Sequence, residues 1–529
     1  MKQKILIVLV LCSVALQMRA QNKSDVAKIT SQLTITEKID LLCAKYPGVE
    51  RMGLVRYDWW SECLHGVARA GKATVFPKPI GMGATWDKTL VRRIANAISD
   101  EARAKHHRAV EQDGYSDRHF GLTFFSPTLN IARDPRWGRT TECFSEDPLL
   151  TSDMGVAFIK GMQGEDPYYL KTVATAKHFV ANNEENRRLG GSATVDDVSL
   201  REYYFPAFRA AIEEGKATSV MGAYNALNGV PCCANSFLLN DVLRGEWGFE
   251  GVVISDGSAI DKLYTHHKYV PTLEEGAALA LKAGCDMSLR DEYREGLRIA
   301  FEKGLVTDDD ITCAVKRVLN LRARLGLDKG TAEGNPYTQI PYSTVECEEH
   351  RAMALEAAQK SMVLLKNEGL LPLNFNDNRK KKVALIGEAF NTVYYGDYSG
   401  TPEHDITLLD CLKDNIGSCA ELTWIGEYNK EVLIPSNCLR RSDEQAYDVI
   451  LGFSADYYAS TKAEGEIFLS RQDLTLDFIP ANDISLQQVK NISASWTSTL
   501  RAPQSGRYFI TLAASGNAKV YINDKEMLR

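Results

Sequence analysis

The chain lacks several patterns that mark common functional classes. Its 529 residues carry 62 lysines and arginines against 69 aspartates and glutamates, a formal net charge of −7, and no basic patch is interleaved with aromatic residues. That balance argues against a nucleic-acid partner. The chain has no Gly-x-Gly-x-x-Gly after an early strand-like run, no Gly-x-Ser-x-Gly and no His-Glu-x-x-His. Dinucleotide-binding, serine-hydrolase and zinc-protease interpretations therefore lack their signatures, and we expect neither a metal nor a cofactor.

Long apolar runs and paired cysteines are also scarce. The apolar run over residues 5–16 is shorter than the ~20 residues that a membrane-spanning helix needs, so we expect no membrane span. Lysines precede this run and Ala20 follows it before Gln21, which predicts a signal peptide over residues 1–20 and an exported protein, periplasmic or extracellular. The 12 cysteines include no Cys-x-x-Cys, and we expect most of them to be free and buried.

The most informative feature that is present is an apolar run that ends in a carboxylate. Residues 251–254 predict a strand buried on both faces, as in a parallel sheet, and Asp256 follows it at once. Ligands of α/β folds bind where such strands end. The alternative is that Ser255 or Asp256 caps the next helix, because both residue types are favoured there. Other strand-like runs of this chain also end in polar residues, which favours a functional site.

Strand and helix patterns alternate from residue 27 to residue 328. The predicted strands are residues 122–125, 173–176, 218–223 and 252–254, and the predicted helices are residues 90–105, 152–162, 199–214, 274–283 and 294–303. This alternation fits a (β/α) barrel or a doubly wound sheet. The missing glycine fingerprint favours the barrel, which we assign to residues 21–330.

The chain changes character twice after the barrel. A linker rich in glycine, proline and tyrosine, residues 331–346, leads to a predicted second α/β domain over residues 347–448. That domain is predicted to open with a helix at 347–358 and strands at 362–366 and 383–387. From residue 449 to 529 the pattern is all-β and incomplete. Its predicted strands are residues 466–469, 474–478, 494–500, 508–513 and 519–522.

Polar residues gather at the predicted strand ends of the first domain. Lys177 and His178 follow one strand, Tyr224 follows another, and Arg139 lies shortly after the apolar residues 129–132. For each residue alone, a salt bridge or a helix cap is an equal alternative. In a barrel these ends meet at one mouth, where cations, carboxylates and aromatic rings suit an uncharged, polyhydroxylated ligand. A carboxylate in such a setting suggests glycoside hydrolysis by covalent displacement.

Five sequence blocks, in order, resemble glycoside hydrolase family 3. They are residues 59–67, 130–148, 177–188, 221–231 and 251–257. Residues 360–373 and 395–400 are similar to the family's α/β sandwich domain, and the all-β stretch resembles an inserted PA14 domain. The resemblance therefore implies a (β/α)8 barrel, the first part of an α/β sandwich and part of a PA14-like domain.

The resemblance also implies roles for individual residues. Asp256 would be the nucleophile of an exo-acting, retaining β-glycosidase, and six other residues would line the subsite of the terminal sugar. These six are Glu62, Arg139, Lys177, His178, Arg188 and Tyr224. The implied substrate is a plant-derived oligosaccharide that ends in a β-D-xylosyl or a β-D-glucosyl residue. Residues 59–60 and Gly257 favour xylose, whereas residues 177–188 resemble glucosidases.

The general acid is not assigned to any residue of the chain. In family members with this insert, the resemblance places the glutamate that acts as acid/base after the insert, so we expect it beyond residue 529. General acid assistance contributes roughly 100- to 10,000-fold, so we expect slow turnover of glycosides with poor leaving groups. The rival hypothesis is a carbohydrate-binding protein that keeps the pocket without turnover.

Overall fold

The computed structural model describes residues 25–374, 381–396, 398–403, 406–416, 420–425, 453–473, 486, 489, 491–498 and 517–528. The predicted signal peptide and the predicted strands at 474–478 and 508–513 lie outside these ranges. Within them, the structure divides into two units. The first runs to Leu371 and includes residues 395–403, and the second begins at Pro372 and contains the rest.

The first unit is built of helices around a parallel sheet. After a helix at residues 25–32, its helices are α1 (Ile35–Leu41), α2 (Pro79–Ala84), α3 (Lys88–Asp113), α4 (Pro148–Gln163), α5 (Pro206–Glu213), α6 (Ala259–Thr265), α7 (Leu273–Ala283), α8 (Glu292–Glu302), α9 (Asp308–Leu325) and α10 (Glu348–Ser361). A short helical turn at Asp197–Ser199, π-helices at Leu200–Tyr204 and Phe237–Glu246, and several 3₁₀ turns complete it. None of the helices in the described part of the chain has the length and apolar character that a membrane crossing requires.

The strands of the first unit form one parallel sheet and two small additions. The strands are β1 (Lys45–Tyr46), β2 (Tyr57–Asp58), β3 (Thr123–Phe124), β4 (Val173–Phe179), β5 (Ser192–Ala193), β6 (Ser219–Gly222), β7 (Ala226–Leu227), β8 (Val230–Pro231) and β9 (Val252–Ser255). The main sheet has the order β3-β4-β6-β9, and all its pairs are parallel. Single bridges extend it at both edges, from Ser61 to Phe124 and from Met287 to Ile254. β1 and β2 form an antiparallel pair, and β5, β7 and β8 form a separate small sheet.

The four predicted strands of this unit are confirmed, and they account for half of the predicted barrel. The eightfold count stays a prediction, because next to the antiparallel pair of β1 and β2 only single parallel bridges continue the sheet in the described ranges, such as those from Cys43 to Ser288 and from Ser61 to Phe124. The helix predicted over residues 199–214 is interrupted. Pro206 lacks the N–H that a continuous helix would use, and α5 starts afresh at this residue.

Helix ends follow the local sequence closely. The Asp87 side chain accepts a hydrogen bond from the Leu90 N–H and starts α3, which Gly114 ends in a left-handed conformation with φ of 81°. Thr307 and Asp310 form a capping box at the start of α9. These caps set where the outer helices begin and end. The helices cover the parallel sheet, in which strand β4 is buried along its whole length.

The described residues of the second unit form three small sheets. β10 (Lys381–Ile386) pairs in parallel with β11 (Ala420–Ile425), with α11 (Leu408–Ile416) between them in sequence. β12 (Phe453–Tyr458) lies between β13 (Ile467–Asp473) and β14 (Ser493–Thr497), and β15 (Val520–Ile522) pairs with β16 (Lys525–Leu528). The predicted strands at 383–387, 466–469, 494–500 and 519–522 are therefore confirmed, with shifted ends.

The strand predicted at residues 362–366 is not formed. Met362, Val363, Leu364 and Leu365 follow α10 as irregular, exposed chain, and Leu365 is 91% exposed. An apolar run of this kind becomes a buried strand only when neighbouring strands pair with it, and none of the described strands does so.

Candidate active site

Asp256 stands directly after β9, and hydrogen bonds on both sides fix its backbone. The Asp256 N–H donates to Gly222 O at 3.1 Å, and the Ser255 N–H donates to Met287 O at 2.9 Å. The Asp256 carboxylate accepts the Gly257 N–H at 2.7 Å, whereas α6 begins after Ser258 without a side-chain cap. The helix-cap alternative is therefore wrong, and the carboxylate points into the site with 15% of its side chain exposed.

His178 lies beside Asp256 and is held by Asn130. Its Nε2 is 3.7 Å from Asp256 Oδ2. Asn130 Oδ1 accepts both the His178 backbone N–H at 2.8 Å and its ring Nδ1–H at 3.0 Å, while Asn130 Nδ2 donates to His178 O at 2.9 Å. Burial, followed by Arg139 and Lys177, lowers the pKa of His178 well below its ordinary value. We therefore assign a neutral imidazole whose Nε2 is free to accept a hydroxyl proton.

Lys177 and Glu62 form a buried ion pair. Lys177 Nζ is 3.3 Å from Glu62 Oε2, and the two side chains are only 3% and 5% exposed. Burial raises the pKa of Glu62, and Lys177 opposes this shift. Burial lowers the pKa of Lys177, but the nearby Glu62, Tyr398 and Glu142 outweigh it, so the pKa is raised overall. Lys177 thus remains a cation in the wall of the site.

Arg139 is paired with Glu142, and Arg188 with Glu185. Arg139 donates to both oxygens of Glu142, at 2.7 and 2.8 Å, a bidentate geometry that fixes the guanidinium plane. Arg188 Nη1 lies 2.8 Å from Glu185 Oε2, and its Cζ is 5.0 Å from the centre of the Tyr224 ring. The Tyr224 hydroxyl donates to the carbonyl of Gly257, next to the candidate nucleophile.

These arginines act on Asp256 through their charge. Burial raises the pKa of the Asp256 carboxyl above its ordinary value, and Arg139, the Gly257 N–H, Lys177 and Arg188 oppose the shift. Burial followed by Asp256 raises the pKa of Tyr224. The structure thus brings together the seven residues singled out by the sequence. Lys177 and His178 lie near the C-terminal end of β4, Tyr224 and Asp256 follow β6 and β9, and the other three, Glu62, Arg139 and Arg188, come from connecting segments.

Three further side chains belong to this site, and the sequence assigned them no role. Asn130 orients His178, and Glu142 orients Arg139. Tyr398 stacks near Lys177, with Nζ 4.8 Å from the ring centre. Asn130 and Glu142 lie in the block that carries Arg139, so that block was a usable signal. Tyr398 lies in the block at residues 395–400, but that block was predicted to belong to the second domain, so it gave no sign that Tyr398 reaches this site.

The cysteines do not contribute ligands or bridges to the site. Nine cysteines in the described ranges are free, and six of them are buried: Cys43, Cys63, Cys143, Cys232, Cys233 and Cys285. This confirms the expected free, buried state for most of those described. Within the same ranges, no group of three or more histidine, cysteine, aspartate or glutamate side chains is arranged to hold a metal ion.

The fold and site together define a carbohydrate-processing class. Half a parallel barrel presents a carboxylate at a strand end, among buried cations, a neutral histidine and tyrosine rings that suit sugar hydroxyls and ring faces. Two family models match the chain: the glycosyl hydrolase family 3 N-terminal domain over residues 50–321 and its C-terminal domain over residues 362–520. The chain belongs to glycosyl hydrolase family 3.

The chain is similar to β-xylosidases and β-glucosidases of this family. A xylan 1,4-beta-xylosidase of Xylanibacter ruminicola is 33% identical over 522 residues, covering 95% of this chain and 59% of the relative. A solved family 3 exo-beta-xylosidase, in complex with a xylobiose aziridine probe, is 34% identical with a TM-score of 0.71, covering 77% of this chain and 53% of that one. A beta-glucosidase from Listeria innocua, in complex with glucose, is 27% identical with a TM-score of 0.64, covering 78% and 61%. The chain thus spans between about half and three fifths of these proteins.

Proposed function

We propose that the protein is an exo-acting, retaining β-glycosidase that releases terminal β-D-xylosyl residues from plant-derived oligosaccharides through a glycosyl-enzyme on Asp256. The similarity to xylosidases supports the sugar, and the arrangement of the site supports the chemistry. The observation that carries the proposal is the position of Asp256 among the carboxylates of the site.

Three of these carboxylates are already engaged. Glu62, Glu142 and Glu185 are each within 3.3 Å of a lysine or arginine nitrogen. In the described part of the chain, Asp256 has no lysine or arginine nitrogen within 4 Å of its carboxylate, and the nitrogen nearest to it is that of the neutral His178 imidazole, at 3.7 Å. A carboxylate that is not locked in an ion pair is the one able to attack an anomeric carbon.

The surrounding charges keep Asp256 competent for attack. A nucleophilic carboxylate must be ionised, and burial alone would favour its neutral form. Arg139 and Lys177 counter that effect without direct contact, because each is paired elsewhere. In the proposed complex, the same two cations and the Nε2 of His178 bind hydroxyls of the terminal sugar.

A β-D-glucosyl substrate is the second candidate. The similarity to a beta-glucosidase in complex with glucose supports it, as does the glucosidase-like block at residues 177–188. Both sugars present the same ring hydroxyls to the site and differ at carbon 6. The choice therefore needs a direct comparison of the two sugars.

The test is covalent labelling with activated 2-deoxy-2-fluoro-β-xyloside and 2-deoxy-2-fluoro-β-glucoside. Their leaving groups depart without acid assistance, so the result depends on the nucleophile alone. We expect intact mass to show one glycosyl adduct, peptide mapping to locate it on Asp256, and the xyloside to label faster. The Asp256→Ala variant should gain no adduct.

The opposite result would change the assignment. If folded protein formed no adduct with either sugar, the rival carbohydrate-binding hypothesis would replace the enzyme. Faster labelling by the glucoside would transfer the proposal to β-glucosidase activity. An adduct on another residue would remove Asp256 from its role.

Two further assignments are proposals from the sequence. We propose export directed by residues 1–20, and a PA14-like domain over residues 449–529. N-terminal sequencing of the protein recovered outside the cytoplasm tests the first, with Gln21 expected as the first residue. A structure of residues 449–529 within the whole protein tests the second.

A further inference from the structure

Three arginines surround the mouth of the site. The Cζ atoms of Arg118 and Arg290 lie 4.6 and 5.4 Å from the centre of the Trp60 ring, and that of Arg69 lies 5.0 Å from the centre of the Tyr398 ring. All three arginines are exposed, in contrast to the buried Lys177 and Glu62. We call Arg69, Arg118 and Arg290 the arginine rim.

The rim lies next to the reacting residues. Arg290 Nε is 3.9 Å from the position that a Cβ would take on Gly257, the residue after the candidate nucleophile. Arg69 stacks on the same Tyr398 ring that Lys177 approaches at 4.8 Å. Because an exo-acting enzyme buries the terminal sugar, the exposed rim faces the part of the substrate that leaves.

The rim charges are only partly neutralised. In the described ranges, no carboxylate oxygen lies within 4 Å of the Arg69 or Arg290 side chains, while Arg118 Nε is 3.5 Å from the buried Asp58. The half-buried Glu292 is near enough to Arg290 for their charges to interact, but the two form no ion pair in the described ranges.

Aromatic rings hold these cations in place before any ligand arrives. A guanidinium stacked on an aromatic ring loses less freedom when it binds an anion, and its planar fork matches a carboxylate. We propose that the arginine rim binds a carboxylate on the leaving-group side, so that the favoured substrates carry a uronic acid next to the terminal sugar. This inference rests on the proposed function, because it takes the terminal sugar to occupy the buried pocket.

The test compares two ligands on one protein. Calorimetric titration of the full chain carrying Asp256→Asn would measure the Kd of xylotriose and of xylotriose bearing a glucuronic acid on its middle sugar. We expect the acidic ligand to bind roughly five- to tenfold more tightly at low salt, the effect of one or two partly exposed ion pairs. The gain should shrink in 0.5 M NaCl, because exposed charges are screened.

Variants separate the rim from general charge effects. Arg69→Gln with Arg290→Gln should abolish the preference and leave the Kd of neutral xylotriose unchanged. Arg209→Gln with Arg298→Gln removes the same charge from exposed helix positions and should keep the preference. Arg290→Lys should retain part of it.

The outcomes distinguish the two proposals. If xylotriose binds and the acidic ligand binds no more tightly, or if the preference survives in the Arg69/Arg290 double variant, the rim is not a carboxylate site. If neither ligand binds to protein shown to be folded by circular dichroism, the proposed xylosyl function itself fails.

Discussion

The charged residues in the buried wall of the site and those in its exposed arginine rim are neutralised in different ways. The wall consists of the seven site residues predicted from the sequence together with Asn130 and Glu142. In the wall, the Glu62–Lys177 and Arg139–Glu142 pairs are 3–12% exposed, and each of these four charges has an opposite partner, so that Asp256 is the unpaired exception. In the rim, Arg69 and Arg290 rest on aromatic rings and have no carboxylate within 4 Å in the described ranges. A buried charge must be paired because water no longer stabilises it, whereas an exposed charge can remain open for a ligand.

Tyr398 connects the two regions. Its ring lies 4.8 Å from Lys177 Nζ in the wall and 5.0 Å from Arg69 Cζ in the rim. Its segment runs alongside residues 69–73, since the Arg69 N–H donates to Ser399 O and the Thr401 N–H donates to Gly71 O. The Tyr398 ring therefore lies between the ion-paired Lys177 and the exposed Arg69.

The largest effect is expected from breaking a pair in the wall. Glu62→Gln leaves the Lys177 ammonium buried without its counter-ion, and we expect the free energy of unfolding to fall by about 3–5 kcal/mol. Arg290→Gln, in the rim, should change it by less than about 0.5 kcal/mol. Urea titration of both variants measures the contrast.

A double variant checks the cause. Glu62→Gln combined with Lys177→Met removes both charges and should recover part of the lost stability, because no unpaired ion remains. Equal stability of Glu62→Gln and Arg290→Gln would show that burial does not distinguish wall from rim.

The wall was more predictable from sequence than the rim. Lys177, His178, Tyr224 and Asp256 follow apolar strands directly, so one rule about strand ends brings them together. Glu62 and Arg188 came from family resemblance alone. Neither route marked the rim, because nothing local marks an arginine that stacks on Trp60. The block at residues 395–400 contains Tyr398 but assigned it to the second domain, because its contacts with the site join residues far apart in the sequence.

The second unit shows the limit of pattern in another way. Residues 383–387 and 362–366 have equally apolar patterns, yet only the first forms a strand, β10, which pairs with β11. The second stays exposed, since no described strand lies beside it. The 331–346 linker also differs from a simple spacer, because the Tyr337 hydroxyl accepts the N–H groups of residues 165 and 166, which follow α4 in the first unit. Local pattern predicts what a segment can form, and its neighbours decide the outcome.

The second largest effect is expected in the pH dependence of stability, through His178 in the wall and His119 beside the rim. Burial followed by Arg139 and Lys177 lowers the pKa of His178, and burial followed by Arg69 and Arg118 lowers that of His119 to about 4. Each binds its proton more weakly in the folded than in the unfolded state. The free energy of unfolding therefore has its full value, as far as these two histidines are concerned, above the pKa of about 6.5 of an unfolded histidine. It decreases as the pH falls toward the lower pKa of the folded state.

Single variants should separate the two contributions. His119→Gln should reduce the loss of unfolding free energy between pH 6.5 and pH 4.5. Added salt should weaken the contribution of His119 to that loss, because the charges of Arg69 and Arg118 are exposed. The part due to His178 should resist salt, since its neighbours are buried. Urea titrations at four pH values, with and without 0.5 M NaCl, supply the comparison. An unchanged pH slope in His119→Gln would exclude a role for the rim charges.

The smallest effect is expected from loosening the segment that holds Tyr398 between the wall and the rim. The Glu346 carboxylate, 2% exposed, accepts the Glu403 N–H at 2.9 Å and lies 3.7 Å from Lys72 Nζ, so it clamps the segment that carries Tyr398. Glu346→Gln keeps the shape but removes the charge, and we expect a loss of about 1–2 kcal/mol in unfolding free energy. The looser ring should raise the concentration of fluoro-xyloside that half-saturates labelling while the maximal labelling rate stays unchanged. Glu356→Gln, which removes a partly exposed glutamate paired with Arg93 and Lys360, is the matched control and should alter neither. A fall in the maximal rate with unchanged half-saturation would mean that Glu346 acts on the chemistry and not on the position of Tyr398.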